Sequence, residues 1–199
     1  RDVHSSFAVI IKNPAWRLVQ ALNTMRDENG KILIKGWHDD ITPLSKNDIK
    51  LIKKEPFDAD GFKKEYGVKS FVGNKNALDA KKALVSGVTC NIAGIESGYT
   101  GDGAKTVLPG SAKVKIDFRL VPNMDPKKLI KLLQRHLRVN GFSDISINVL
   151  NAEAAARTNP NEKIVDTVCA STKKIFGDYV LNISNAGTGP MHALVQFLR

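Results

Sequence analysis

The chain has 199 residues, 42% of them apolar and 25% charged, a globular composition with enough length for one core or two small ones. No apolar run approaches the roughly 18 residues of a membrane-spanning helix, and no basic-then-apolar leader opens the chain, so the sequence argues for a cytoplasmic protein without a membrane partner. The formal net charge of +10 suits an anionic partner, but Lys46, Lys50, Lys53, Lys54, Lys63 and Lys64 are dispersed as solvated faces would be.

In chain order, residues 1–11 read as extended and close on the strand-like run Phe7–Ile11. Asn13-Pro14 supplies a helix cap and a first-turn proline, and Leu18, Leu22 and Met25 continue a helical stripe to about Arg26. Asn29-Gly30 ends it, and Lys31–Lys35 predicts a short strand. Residues 36–75 are irregular, with short helices expected over Ser45–Lys54 and Asp58–Tyr66. Val88–Ile95 returns to strand character. Over Ser111–Leu120 the residues alternate strictly, with Ala112, Val114, Ile116, Phe118 and Leu120 on one face. Asp125-Pro126 starts a second helix carrying Leu129, Ile130, Leu133 and Leu137, which Asn140-Gly141 stops. Ile145, Ile147 and Val149 predict a last strand.

The order is β-α-β-β-α-β, and the fold class expected is α+β. It is a ferredoxin-like, four-stranded antiparallel sheet with both helices on one face over residues 1–151, with 36–75 an irregular insertion. From residue 152 the style changes: a helix from Asn161, a strand over Tyr179–Ile183, the turn Gly187-Thr188-Gly189-Pro190 and a final apolar segment. Residues 152–199 read as one β-α unit of an α/β domain. A first residue of Arg1 and an apolar close at Ala193–Leu198 lead us to expect a piece of a larger protein.

Familiar catalytic signatures are absent from the pattern. Of His4, His38, His136 and His192, none lies three or four residues from another, so no zinc spacing exists, and His38-Asp39-Asp40 reads as a solvated turn. Cys90 and Cys169 are too few for a disulfide framework and read as inert buried thiols. No Gly-x-Ser-x-Gly elbow and no Walker spacing occur. The loop Gly101–Pro109 with Arg119 stands apart: Thr106 and Arg119 sit at the two ends of one loop-to-strand unit, where an arginine fork can hold a carboxylate. A plain ion pair between Arg119 and Asp117 is the structural alternative.

Asp2-Val-His-Ser5, Asn13-Pro-Ala-Trp16, Gly30–Gly36, Gly103-Ala-Lys-Thr-Val-Leu-Pro109 and Phe118-Arg-Leu-Val-Pro-Asn-Met124 occur together in an order that resembles a known family. It is the co-catalytic di-zinc peptidase family of acetylornithine deacetylase, succinyl-diaminopimelate desuccinylase, glutamate carboxypeptidase and carnosinase-like dipeptidases, with the dipeptidase branch nearest. The resemblance implies a lid or dimerisation domain over 1–151 and a truncated part of the catalytic domain over 152–199. It also implies a homodimer through the lid and a small peptide or N-acyl amino acid as substrate. Two zinc ions would belong to the intact enzyme, with none bound to this chain, which alone is expected to be inactive. By the same resemblance His4 is the lid histidine that reaches the partner's active site and polarises the scissile carbonyl. Thr106 faces the substrate carboxylate region, and Arg119 binds that carboxylate. Gly187, Thr188 and Gly189 form a glycine-rich turn facing substrate. Two stretches depart from the family: Ser6 and Val9-Ile10-Ile11 stand where glycines are frequent, and Asn151 where the dipeptidase branch carries a second histidine. The competing reading is a basic RNA-binding module of the same β-α-β-β-α-β order, which would need stacking aromatics on its open face.

Overall fold

The computed structural model describes residues 1–184, 187, 189 and 191–197. The chain divides into two compact units, residues 1–39, 89–119 and 127–152 forming one, and 40–88, 120–126 and 153–199 the other. The last segment of the second unit begins at Glu153, beside the change of style in the sequence. Residues 40–88, which take in most of the irregular stretch, group with it.

In the first unit, helix α1 spans Pro14–Asn23 as expected, with the Asn13 side chain accepting from the Ala15 amide at 2.8 Å. It buries Leu18 and Ala21. Helix α5 spans Pro126–Val139 and buries Leu129, His136 and Leu137. Gly141, at φ 81°, turns the chain out of α5 so that the Phe142 amide donates to the Leu137 carbonyl at 2.7 Å. Ala21, Leu137 and Phe142 then form a core cluster, with Leu133, Ile145 and Ile147 packed against it. On the surface of this cluster Arg17 holds Asp144 through two bonds of 3.0 and 2.7 Å and lies 4.4 Å over the Phe142 ring.

The β structure is α+β in kind but smaller than expected. Strand β1 is Val3–His4, β2 is Asn91–Ser97, β3 is Val107–Leu108 and β4 is Ala112–Asp117. They form two antiparallel pairs, β1 with β3 and β2 with β4, in place of one four-stranded sheet. The β2–β4 ribbon runs from Asn91 opposite Asp117 to Ser97 opposite Ala112, with a bulge between Ile92 and Gly94. Three strands expected in the first unit make no ladder. Lys31–Lys35 forms a single bridge, Arg26 to Ile32, and sends Ile32 and Ile34 into the core. Residues 145–149 send Ile145 and Ile147 inward without strand pairing. The alternation there records which side chains are buried, and burial can be met without a neighbouring strand. Phe7–Ile11 is the third: Ser5–Val9 is a 3-10 turn in which Ile10 and Ile11 both donate to the Phe7 carbonyl. The His4 side chain caps that turn, so the chain curls where its β-branched residues favoured extension.

In the second unit the helices are α2 (Lys46–Lys54), α3 (Ala59–Glu65), α4 (Ala77–Ser86), α6 (Lys163–Phe176) and α7 (Met191–Phe197). Ser45 and Asp48 form a reciprocal capping box at the start of α2. Lys81 on α4, 7% exposed, donates its ammonium to the Ile52 and Glu55 carbonyls and so closes the other end of α2. The core joins Ile52, Val85 and Ile183, with Leu44, Leu51, Leu78 and Leu181 around them. The expected strand 179–183 is not laddered; Leu181 and Ile183 pack here instead. No helix among the described residues is long and apolar enough to cross a membrane.

His136 gives the first unit a pH dependence. Its Nε2 meets Thr24 Oγ1 at 2.9 Å; burial pushes its pKa down, and the Thr24 backbone offsets that only in part. An unfolded histidine titrates near about 6.5. Below that pH the unfolded chain takes up a proton that the folded residue resists, so stability falls as pH falls. The urea midpoint is expected to drop between about pH 7 and about pH 5, and to drop less in His136→Gln. An equal drop in both chains would remove His136 from this effect.

Candidate functional site

The first pair of candidate residues is brought together by the shortest sheet. In β1–β3, Val3 lies opposite Leu108 and His4 opposite Val107. The Ser5 amide donates to the Thr106 carbonyl at 3.1 Å and extends the register by one bond. Asp2 accepts from the Gly110 amide at 2.9 Å on the other side. A Cβ on Gly110 would stand 2.6 Å from the Arg1 carbonyl carbon, so only glycine lets the two segments close here. With the backbones fixed, His4 Nε2 lies 3.4 Å from Thr106 Oγ1, and both side chains are exposed.

The other ring nitrogen of His4 is occupied. Ser6 Oγ lies 2.8 Å from His4 Nδ1, and the Ser6 amide donates to the same atom at 3.2 Å. From the sequence, Ser6 stands out only as a departure from the family and as too close to His4 for a serine–histidine pair, yet its hydroxyl and amide both reach the ring. A serine two residues after a histidine at the mouth of a turn was the available signal, since such side chains bond local backbone and neighbours. Nearby, Tyr99 donates to the Asp102 carbonyl at 2.7 Å, and the Lys105 ammonium sits 5.3 Å from its ring centre.

Arg119 lies elsewhere on the first unit. The β1–β3 pair adjoins the ribbon end at Ser97–Ala112, where a Cβ on Gly98 would lie 3.9 Å from the Pro109 Cβ. Arg119 follows the opposite end, at Asn91–Asp117. There its amide donates to Thr89 Oγ1 at 3.1 Å, while the Thr89 amide donates back to the Arg119 carbonyl at 3.2 Å. Its Nε donates to Asp117 Oδ2 at 3.2 Å, with the arginine side chain 51% exposed. The ion pair weighed as the alternative is therefore present. From Ala112 to Asp117 the strand measures about 17 Å.

Gly187 and Gly189 are both exposed, whereas Thr188 lies outside the described residues. Cys90 is buried and its thiol is pushed up by that burial, with Arg26 acting the other way, which leaves it a packing residue and not a nucleophile. Phe118 stacks on Trp37 at 4.7 Å, so the aromatic of β4's extension is committed to the core rather than offered to a base. Zinc needs three or four convergent ligands. Among the described residues no group of three His, Cys, Asp or Glu could hold an ion, so these residues do not fit a zinc site.

A short α+β module whose smallest sheet presents a histidine beside a threonine defines a class before a function. Residues 1–145 match the model of the peptidase dimerisation domain of the M20 family. The chain belongs to the M20 peptidases, through that domain. It is 27% identical to the Beta-Ala-His dipeptidase of Mus musculus over 206 aligned residues, covering 98% of this chain and 41% of the relative. It is 31% identical to the Cys-Gly metallodipeptidase DUG1 of Saccharomyces cerevisiae, covering 79% of this chain and 31% of that one. The M20 metallo-carboxypeptidase Sso-CP2 of Sulfolobus solfataricus superposes with a TM-score of 0.86 at 38% identity, covering 98% of this chain and 50% of that structure. The chain thus spans half the length or less of the relatives it matches.

Proposed function

We propose that this chain is the dimerising, substrate-gripping part of a zinc-dependent M20 peptidase. The enzyme removes a terminal residue from dipeptides or short peptides, or an acyl group from an amino acid. The relatives are named for cutting dipeptides or carboxy-terminal residues, substrates that carry a free carboxylate beside the scissile amide. In this reading the metal ligands belong to parts of the enzyme outside this chain, and the chain alone is inactive. A zinc site in those parts would supply an activated water for attack on the amide carbon. Arg119 holds the substrate carboxylate, Thr106 faces the bound substrate, and His4 donates to the oxygen that gains charge.

The observation that carries this reading is the placement of His4–Thr106 and Arg119 at opposite ends of the β2–β4 ribbon. An extended dipeptide is only about 7 Å long, well short of the ribbon. One copy of the chain therefore cannot close both groups on one small substrate; His4 and Thr106 of one copy serve the Arg119 of another. The surface beside His4 suits a second copy. Phe7, Val9, Ile10, Ile11, Trp16 and Val19 are all exposed, Val9 to 88% and Ile10 to 78%. Apolar side chains left in water so densely mark a surface that another protein covers.

Arg119→Ala in the intact enzyme is expected to raise KM roughly ten- to hundredfold for substrates with a free carboxylate and hardly at all for their C-terminal amides. Equal losses on both would end the carboxylate role. Separately, light scattering of the chain is expected to give twice the monomer mass for wild type and the monomer mass for Ile10→Asp. A wild-type monomer, or an unaffected Ile10→Asp dimer, would place the interface elsewhere.

A further inference from the structure

Two donors of one residue converge on a single atom of His4, and their chemistry goes further than the site assignment. We propose that Ser6 is a positioning residue: its amide and hydroxyl hold the His4 imidazole in the tautomer that carries its proton on Nε2, facing the substrate side. The proposal rests on the reading of His4 as a donor to the substrate oxygen.

A neutral imidazole has one N–H and one lone-pair nitrogen. The Ser6 amide can only donate, and at 3.2 Å it is aimed at Nδ1. A proton on Nδ1 would meet the amide hydrogen head-on. The Ser6 hydroxyl rotates freely and at 2.8 Å can add its own hydrogen to the same lone pair. With the amide fixed as a donor and the hydroxyl turned to donate beside it, Nδ1 stays unprotonated and the proton of the neutral ring lies on Nε2. The 3-10 turn of Ser5–Val9 makes this arrangement rigid, because the Ser6 amide is placed by backbone and not by a rotamer.

On the far side Nε2 reaches Thr106 Oγ1 at 3.4 Å, long for a hydrogen bond to a hydroxyl oxygen. The donor is thus aimed yet lightly engaged, and an arriving substrate oxygen can take it without breaking a strong bond. The Thr106 hydroxyl can turn its own hydrogen to the same oxygen. A ring locked this way stabilises negative charge on oxygen and does not abstract protons at Nε2. A histidine reading substrate from an unconstrained loop would lose part of its donor population to the other tautomer.

Nitrogen NMR of the full chain with labelled histidine, at about pH 8.5 where an ordinary imidazole is neutral, reads the tautomer directly, with His4→Gln assigning the signal. Wild type and Ser6→Thr are expected to show Nε2 protonated and Nδ1 bare. Ser6→Ala keeps the 3.2 Å amide bond but loses the tighter 2.8 Å hydroxyl bond, so the ring can swing away from the amide and is expected to show a mixed population. In the intact peptidase Ser6→Ala should lower kcat about fivefold with KM nearly constant, and Ser6→Thr should restore it. A wild-type ring protonated on Nδ1, or Ser6→Ala indistinguishable from wild type in both spectrum and kcat, overturns the proposal. Full activity in His4→Gln would instead overturn the donor role of His4, a separate result from the tautomer.

Discussion

The functional geometry depends on one very short pairing, the two-residue ladder of Val3–His4 on Val107–Leu108. Two residue pairs are too few to be stable alone. The Asp2 bond to the Gly110 amide on one side and the Ser5 bond to the Thr106 carbonyl on the other lengthen it. Leu108, 3% exposed, anchors it in the core. Loss of this contact would separate His4 from Thr106 without touching either side chain. The absence of a Cβ at Gly110 is part of the same device, since it lets the opening residues lie against the loop that carries Thr106.

Around that contact the first unit does what a scaffold must do. The cluster of Ala21, Leu137 and Phe142 fixes α1 and α5, and the ribbon carries Arg119 well away from the His4–Thr106 pair. In the proposed roles, a substrate-gripping arginine at one end and an oxyanion donor near the other make little sense in a monomer acting on a dipeptide. They make sense in an assembly where each copy gives its donor pair to its neighbour. The unusual exposure of Val9, Ile10 and Trp16, next to His4 in sequence, fits that arrangement.

Much of this was legible in the sequence. The helices α1, α2, α3, α5 and α6 follow from caps and periodicity, because Asn13-Pro14, the Ser45–Asp48 box and Asn140-Gly141 act locally. Helix α4 went unread although Asn76 caps it through the Asp79 amide, the same type of signal. Strands were read less well. Alternation at Ile145 and Ile147 reports burial, and whether a buried extended segment also finds a ladder partner is decided by distant chain. The Phe7–Ile11 run fails for another reason: hydrophobic β-branched residues favoured a strand, while the cap from His4 and an unburied surface produced a turn. His4 drew its meaning from resemblance and Arg119 first from its place on the open strand face, whereas the hold of Ser6 on Nδ1 emerged only from geometry.

Subunit mixing tests the shared site most directly. In the intact peptidase, His4→Ala and Arg119→Ala each abolish one half of the proposed grip. Dissociated and reassociated together, they should regain about a quarter of wild-type activity, because random pairing makes half the dimers mixed and each mixed dimer rebuilds one complete site. No activity above that of the parent variants, with mixed dimers shown to have formed, would contradict a site shared between copies.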